Sequence, residues 1–156
     1  IIVALIQIYH VREVNTMLKN IPKIISPELL KILCEMGHGD EIVLADGNFP
    51  SEAIGQRVVR ADGHGVPELL EAILTLLPLD TYAKPVFIMD KVPGDETPVP
   101  IWDDYSRIVA PHTNEPIEKI ERFAFYERAK KAYCVVATGE EAIYANIILK
   151  KGVVVS

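Results

Sequence analysis

Two hydrophobic rhythms alternate along most of this chain. Leu29, Leu30, Leu33 and Met36 recur at helical spacing behind Ser26-Pro27-Glu28. That triplet reads as an N-cap, a proline at the first helical position and an acid at the positive end of the dipole. Gly37 can close this helix. A second helical face, Leu69, Leu70, Ile73 and Leu77, runs from Pro67 through Leu76. Between these helices, Glu41–Ala45 and Arg57–Ala61 read as short strands, and each ends on an aspartate, Asp46 or Asp62. Downstream, the pattern predicts a strand over Pro85–Met89, a proline-rich loop over Asp95–Pro100 and a helix over Ile101–Ala110. Ile117–Glu121 is strand-like and Phe123–Ala132 is helical. Two more strands, Tyr133–Thr138 and Asn146–Lys150, flank a turn at Gly139. This alternation predicts an α/β domain with helices packed on a mixed or largely parallel sheet. In such sheets, polar residues just past strand ends line the ligand crevice, which makes Asp46 and Asp62 candidates.

The first sixteen residues stand apart. Ile1–Ile8 is apolar except for Gln7, and the first methionine is Met17. Eight residues fall far short of the ~20 that a membrane helix needs. No basic stretch precedes them and no small-residue cleavage site follows, so a secretory signal fits poorly. Ile1–Thr16 is expected to be a leader or an added extension, with the functional domain covering residues 17–156.

Composition narrows the function classes. Hydrophobic residues make up 49% of the 156, and 16 Lys+Arg against 22 Asp+Glu give a formal charge of −6. The chain is therefore long and apolar enough to bury its own core. Its negative charge argues against unspecific binding to nucleic acid or to an anionic membrane. Two cysteines, Cys34 and Cys134, fit a reducing cytoplasmic setting; they make neither a disulfide framework nor a zinc set.

Several residues could carry chemistry. His38 lies between Gly37 and Gly39, where a ligand can approach, and imidazole is the natural acid/base at neutral pH; a surface turn histidine fits the same motif. Asp46-Gly47 is either a plain turn or a ligand-binding corner. Gly63-His64-Gly65 is a second flexible histidine loop. Arg122 and Tyr126 are four residues apart and would share a helical face. A guanidinium beside a phenol and phenyl rings makes a sugar clamp, or else a helix with core aromatics and solvated charges. Tyr144 and Asn146, two apart on an extended chain, would face the same way. The glycines form neither a dinucleotide loop nor a phosphate loop, and no serine sits in a nucleophile elbow. No cluster has metal-ligand spacing.

An ordered set of segments carries a resemblance. It comprises Ile25–Leu30, Glu35–Ile42, Asp46–Pro50, Arg60–Gly63, Arg122–Ala129, Thr138–Glu140 and Tyr144–Val153. In this order the segments resemble the L-fucose mutarotase and D-ribose pyranase family. Met36-Gly37-His38-Gly39-Asp40 and Arg122-Phe123-Ala124-Phe125-Tyr126-Glu127-Arg128 resemble its fucose branch, whereas Ala145 is the residue more usual in the ribose branch. The resemblance implies a three-layer α/β domain that interconverts the anomers of a free monosaccharide, L-fucose first, without metal or organic cofactor. D-ribose, or sugar binding without turnover, are the alternatives. It implies homo-oligomers, often decameric rings, with sites at or near subunit contacts. By position, His38 would be the catalytic acid/base, and Asp46, Arg122, Tyr126, Tyr144 and Asn146 would bind the sugar.

Overall fold

The computed structural model describes residues 18–156; the expected leader, Ile1–Thr16, lies outside them. Helix α1 spans Pro27–Glu35, and the Ser26 hydroxyl accepts the Leu29 N–H at 3.1 Å, so the sequence signal is a real cap. The chain continues through β1 (Glu41–Ala45), α2 (Ser51–Ile54), β2 (Val58–Ala61) and α3 (Val66–Leu74). It then adds β3 (Val86–Met89), α4 (Ile101–Val109), β4 (Glu118–Ile120), α5 (Arg122–Lys131), β5 (Cys134–Thr138) and β6 (Ile147–Lys150). Every element expected from the sequence is present, with bounds shifted by a residue or two. The single turn of α2 was not expected; four residues carry too little periodicity to reveal it. At the start of α5, the Glu121 carboxylate accepts the N–H groups of Phe123 and Ala124 at 2.8 and 3.1 Å, so a glutamate serves as the cap.

The sheet is mixed, in the order β2-β5-β1-β6-β3-β4. Strands β2, β5 and β1 run parallel, as do β3 and β4, and β6 is inserted antiparallel between β1 and β3. Burial on both faces explains why the strands read as continuous apolar runs rather than as alternations. The pleat still sorts their side chains. Ile42, Leu44, Cys134, Val136, Ile147 and Leu149 pack with α1, α3 and α4 on one face. Val43, Val135, Ile148, Phe87 and Met89 pack with Phe125 and Ala129 of α5 on the other. Those are the three layers implied by the resemblance.

Strand β1 fixes the functional geography. Its C-terminal end delivers Asp46; its N-terminal end follows the His38 turn. Because β6 runs antiparallel to it, Asn146, which precedes β6, lies beside Asp46, whereas Lys150 lies opposite Glu41.

Candidate active site

At the C-terminal end of β1, Asp46 is 7% exposed and locked on both sides. Its N–H donates to Asn146 Oδ1 at 2.8 Å, and Asn146 Nδ2 donates back to Asp46 Oδ2 at 3.0 Å. The Asn48 N–H donates to Asp46 Oδ1 at 3.0 Å. Burial pushes the Asp46 carboxyl above its ordinary value, against the opposing pull of the Asn48 and Phe49 N–H groups and of Asn146. The Asp46-Gly47 segment is therefore both a turn and a fixed carboxylate. Space at Gly47 is tight: a Cβ there would lie 3.3 Å from Glu140 O, to which the Gly47 N–H donates at 2.8 Å.

A cavity of about 350 Å³ opens beside this pair, walled by Asp46, Phe49, Asp95, Tyr126, Ile143, Tyr144 and Asn146. The rings of Phe49 and Tyr126 lie 5.6 Å apart, tilted by 46°. The result is a concave site with a fixed acid, a fixed amide, two phenols and an aromatic wall, which suits a polyhydroxylated ring with one apolar face.

The structure brings Asp46, Tyr126, Tyr144 and Asn146 into this one cavity. Tyr144 arrives by a route different from the expected one. It is not on extended chain; its φ is +54°, a left-handed conformation in a turn, and β6 begins only at Ile147. The alternation argument for Tyr144 and Asn146 facing the same way therefore fails, although both residues reach the cavity. Arg122 is not among the lining residues. It is exposed at the start of α5, its guanidinium 4.7 Å from the centre of the Phe123 ring. Phe49 and Asp95 line the cavity without having been singled out. Phe49 belongs to a quoted segment, whereas Asp95 sits in an aperiodic proline-rich loop that gave no signal.

His38 lies at the other end of β1. Its Nε2 is 3.1 Å from Oδ1 of Asp80, a carboxylate only 4% exposed. The His38 ring lies 5.4 Å from the Tyr82 ring. Asp80 Oδ1 also accepts the Tyr82 N–H at 3.1 Å. Burial would raise the Asp80 carboxyl, but the Tyr82 N–H and the His38 side chain outweigh it and hold the group below its ordinary value. An imidazole oriented by a buried carboxylate is the arrangement that general acid/base work uses. Asp80 follows α3 after a short loop, and nothing in its local sequence marked it. Strand β1, roughly 13 Å from its first residue to its last at ~3.3 Å per step, lies between the His38 turn and Asp46.

His64 pairs with Glu68 at 3.2 Å on the surface, and its turn reading stands. Cys34 is exposed and Cys134 buried, both as free thiols, and burial raises the Cys134 thiol to about 11. Among the described residues, no group of three or more His, Cys, Asp or Glu side chains could hold a metal ion, and no helix is long and apolar enough to cross a membrane. Asp62, the other strand-end aspartate, is ion-paired with Arg60 and lies on the far side of Asp46, in a neighbouring depression of about 550 Å³.

Comparison with known proteins bears directly on this geometry. Residues 19–154 match the RbsD / FucU transport protein family. The chain is 57% identical over 143 residues to the fucose mutarotase of Mus musculus, covering 86% of this chain and 94% of that one. The crystal structure of FucU from Bifidobacterium longum superposes with a TM-score of 0.85 at 61% identity, covering 88% of this chain and all of that one. The fucose mutarotase from Streptococcus pneumoniae, solved in complex with L-fucose, gives 0.84 at 55% identity, again over 88% of this chain and all of that one.

Proposed function

This chain belongs to the RbsD / FucU transport protein family, and from that premise we propose that it is a fucose mutarotase, an isomerase that interconverts the α and β anomers of free L-fucose. The observation that carries this reading is the cavity built on the locked Asp46–Asn146 pair, in a chain 55–61% identical to FucU and fucose mutarotase proteins. Its volume of about 350 Å³ lies at the small end of ligand sites, the right scale for one monosaccharide.

The reaction needs one proton taken from the anomeric hydroxyl and one given to the ring oxygen. The ring then opens to the aldehyde, C1 turns about its bond to C2, and the ring closes on the other face. One imidazolium can give a proton to the ring oxygen in opening while the anomeric hydroxyl passes its own proton to water, and both transfers reverse in closing, an effect of roughly 10²–10⁴-fold. His38 fills that role, oriented by Asp80. Asp46 and Asn146 hold sugar hydroxyls, Tyr126 and Phe49 cover an apolar face, and Tyr144 closes the end of the site. Arg122, at the rim, contributes charge from outside the cavity.

A proton moves only over hydrogen-bond distance, so one protomer cannot bring His38 to a sugar held by its own Asp46 cavity. The active site of this reading is shared: the His38–Asp80 pair of one protomer completes the cavity of its neighbour. Two exposed apolar side chains support it. Tyr82 beside His38 is 81% exposed, and Ile143 on the cavity wall is 49% exposed. Each end of the sheet thus presents a face that a second copy can cover. Head-to-tail contacts of this kind give rings where the rotation closes, and this reading takes a homo-oligomer, with a decameric ring as the expected form. Two free thiols, Cys34 and Cys134, fit a cytoplasmic location.

The test is direct. A solution enriched in one L-fucose anomer is mixed with the protein, and α/β exchange is followed by NMR saturation transfer. The reading requires exchange well above that in buffer, and faster for L-fucose than for D-ribose. Exchange at the buffer rate, with sugar bound, would identify a binding protein without turnover.

A further inference from the structure

Tyr144 is held in place more firmly than a wall residue requires. Its backbone adopts φ +54°, a region that non-glycine residues enter at a cost and that surrounding structure must enforce. Part of that enforcement acts on the main chain. Trp102 Nε1–H donates to Tyr144 O at 2.9 Å, and the buried Tyr105 hydroxyl donates to the next carbonyl, Ala145 O, at 2.6 Å. The side chain is tied by a different group. Tyr144 Oη donates to Oδ2 of Asp95 at 2.5 Å and accepts the Val92 N–H at 3.4 Å.

We propose that Asp95 is a positioning residue of the sugar site, acting through Tyr144 to fix the phenol as a hydrogen-bond acceptor toward the sugar. The proposal rests on the reading that this cavity holds the sugar. A phenol has one proton and two lone pairs. With its proton committed to Asp95 and one lone pair facing Val92, Tyr144 can offer the cavity only an acceptor. A sugar hydroxyl must then donate to it, which selects one orientation of the ring. Asp95 is itself fixed. Its Oδ1 accepts the Thr97 N–H at 2.9 Å, its N–H donates to Val92 O at 3.0 Å, and Lys91 Nζ donates to Thr97 O at 3.1 Å. Pro93, Pro98 and Pro100 stiffen the same loop. The Thr97 and Tyr144 hydrogen bonds hold the Asp95 carboxyl at about 2, so it stays ionised and acts only as an acceptor. In return, the Asp95 carboxylate raises the Tyr144 phenol above its ordinary value, against the opposing charge of Arg122.

A double-mutant cycle tests this. Asp95→Ala should lower kcat/KM for fucose exchange about tenfold, as expected for loss of one charge-assisted hydrogen bond. Asp95→Asn, whose Oδ1 still accepts the phenol proton, should retain most of the rate. Adding Asp95→Ala to Tyr144→Phe should cost nothing further. If the two losses multiply, Asp95 acts independently of Tyr144 and the proposal is wrong. If Tyr144→Phe leaves exchange unchanged, the assignment of the sugar to this cavity is wrong, and the proposal falls with it. A titration without sugar separates the two failures. The phenolate transition that disappears in Tyr144→Phe should move to lower pH in Asp95→Asn; an unmoved transition overturns the link between Asp95 and Tyr144 whatever the sugar does.

Discussion

Gly152→Ala adds one methyl group at a position without chemistry of its own, yet it should cost this protein most of its activity. A Cβ at Gly152 would lie 2.4 Å from Leu79 O, 2.7 Å from Leu79 C and 2.9 Å from Asp80 Cα. Ordinary contact begins near 3.4 Å, so the two chains must separate by up to about 1 Å. All three atoms belong to the backbone and cannot rotate aside. The segment that must yield carries Asp80, pinned there by its N–H to Lys150 O at 3.0 Å, while the Gly152 N–H donates to Pro78 O at 2.7 Å. Overpacking of this kind costs about 1–3 kcal/mol, which for a chain of this size lowers Tm by roughly 3–10 °C. The functional loss should be larger than the stability loss implies. A displacement of ~1 Å in a group that orients a catalytic residue can cost up to ~100-fold in rate. Circular dichroism and thermal melting establish that the variant is folded, and saturation-transfer NMR on L-fucose reads the exchange rate. A folded Gly152→Ala protein with exchange as fast as the parent would refute the argument that Asp80 must sit where it does.

Three further outcomes follow from the same structure. Tyr105→Phe removes a fully buried hydroxyl and leaves Ala145 O without its 2.6 Å donor; denaturant midpoints should report a loss of about 1–3 kcal/mol, and an unchanged midpoint would contradict the packing described. Because burial raises the folded-state carboxyl of Asp46, its contribution to stability is present below the ordinary value of 3.8 and lost as pH rises through the folded value. The stability of the parent relative to Asp46→Asn should therefore fall from acid toward neutral pH, and a rise would show that the sign is wrong. Dialysis against a chelator should leave exchange unchanged, since the proposed chemistry needs only proton transfer; activity lost to the chelator and restored by added metal would overturn it.

The fold was largely legible because its signals are local. Ser26-Pro27-Glu28 marks a helix start whatever surrounds it, and the apolar runs in β1, β5 and β6 mark strands buried on both faces. The antiparallel insertion of β6 between β1 and β3 was not legible, since strand order is set by long-range pairing. Asp46, Tyr126, Tyr144 and Asn146, which the structure gathers around one cavity, stood out because they sit in distinctive segments. Asp80 and Asp95 were missed for one reason: each lies in a loop without periodicity, and each meets its side-chain partner 42 or 49 residues away, His38 or Tyr144. Arg122 stood out in the sequence, yet its place at the exposed start of α5 keeps it outside the cavity. The split of His38 from Asp46 follows from the strand expected over Glu41–Ala45 between them, a local feature that the sequence already carries.

Subunit complementation tests the shared site most directly. His38→Ala and Asp46→Ala protomers, each nearly inactive alone, are mixed under denaturing conditions, refolded together and assayed for L-fucose exchange. If each site draws His38 from one protomer and Asp46 from its neighbour, random assembly gives intact sites at about one half times one half of positions, so the mixture should recover roughly a quarter of the parent rate. If every site were built within one chain, no intact site could form. A co-refolded, correctly assembled mixture no more active than the two variants measured apart would contradict the shared active site.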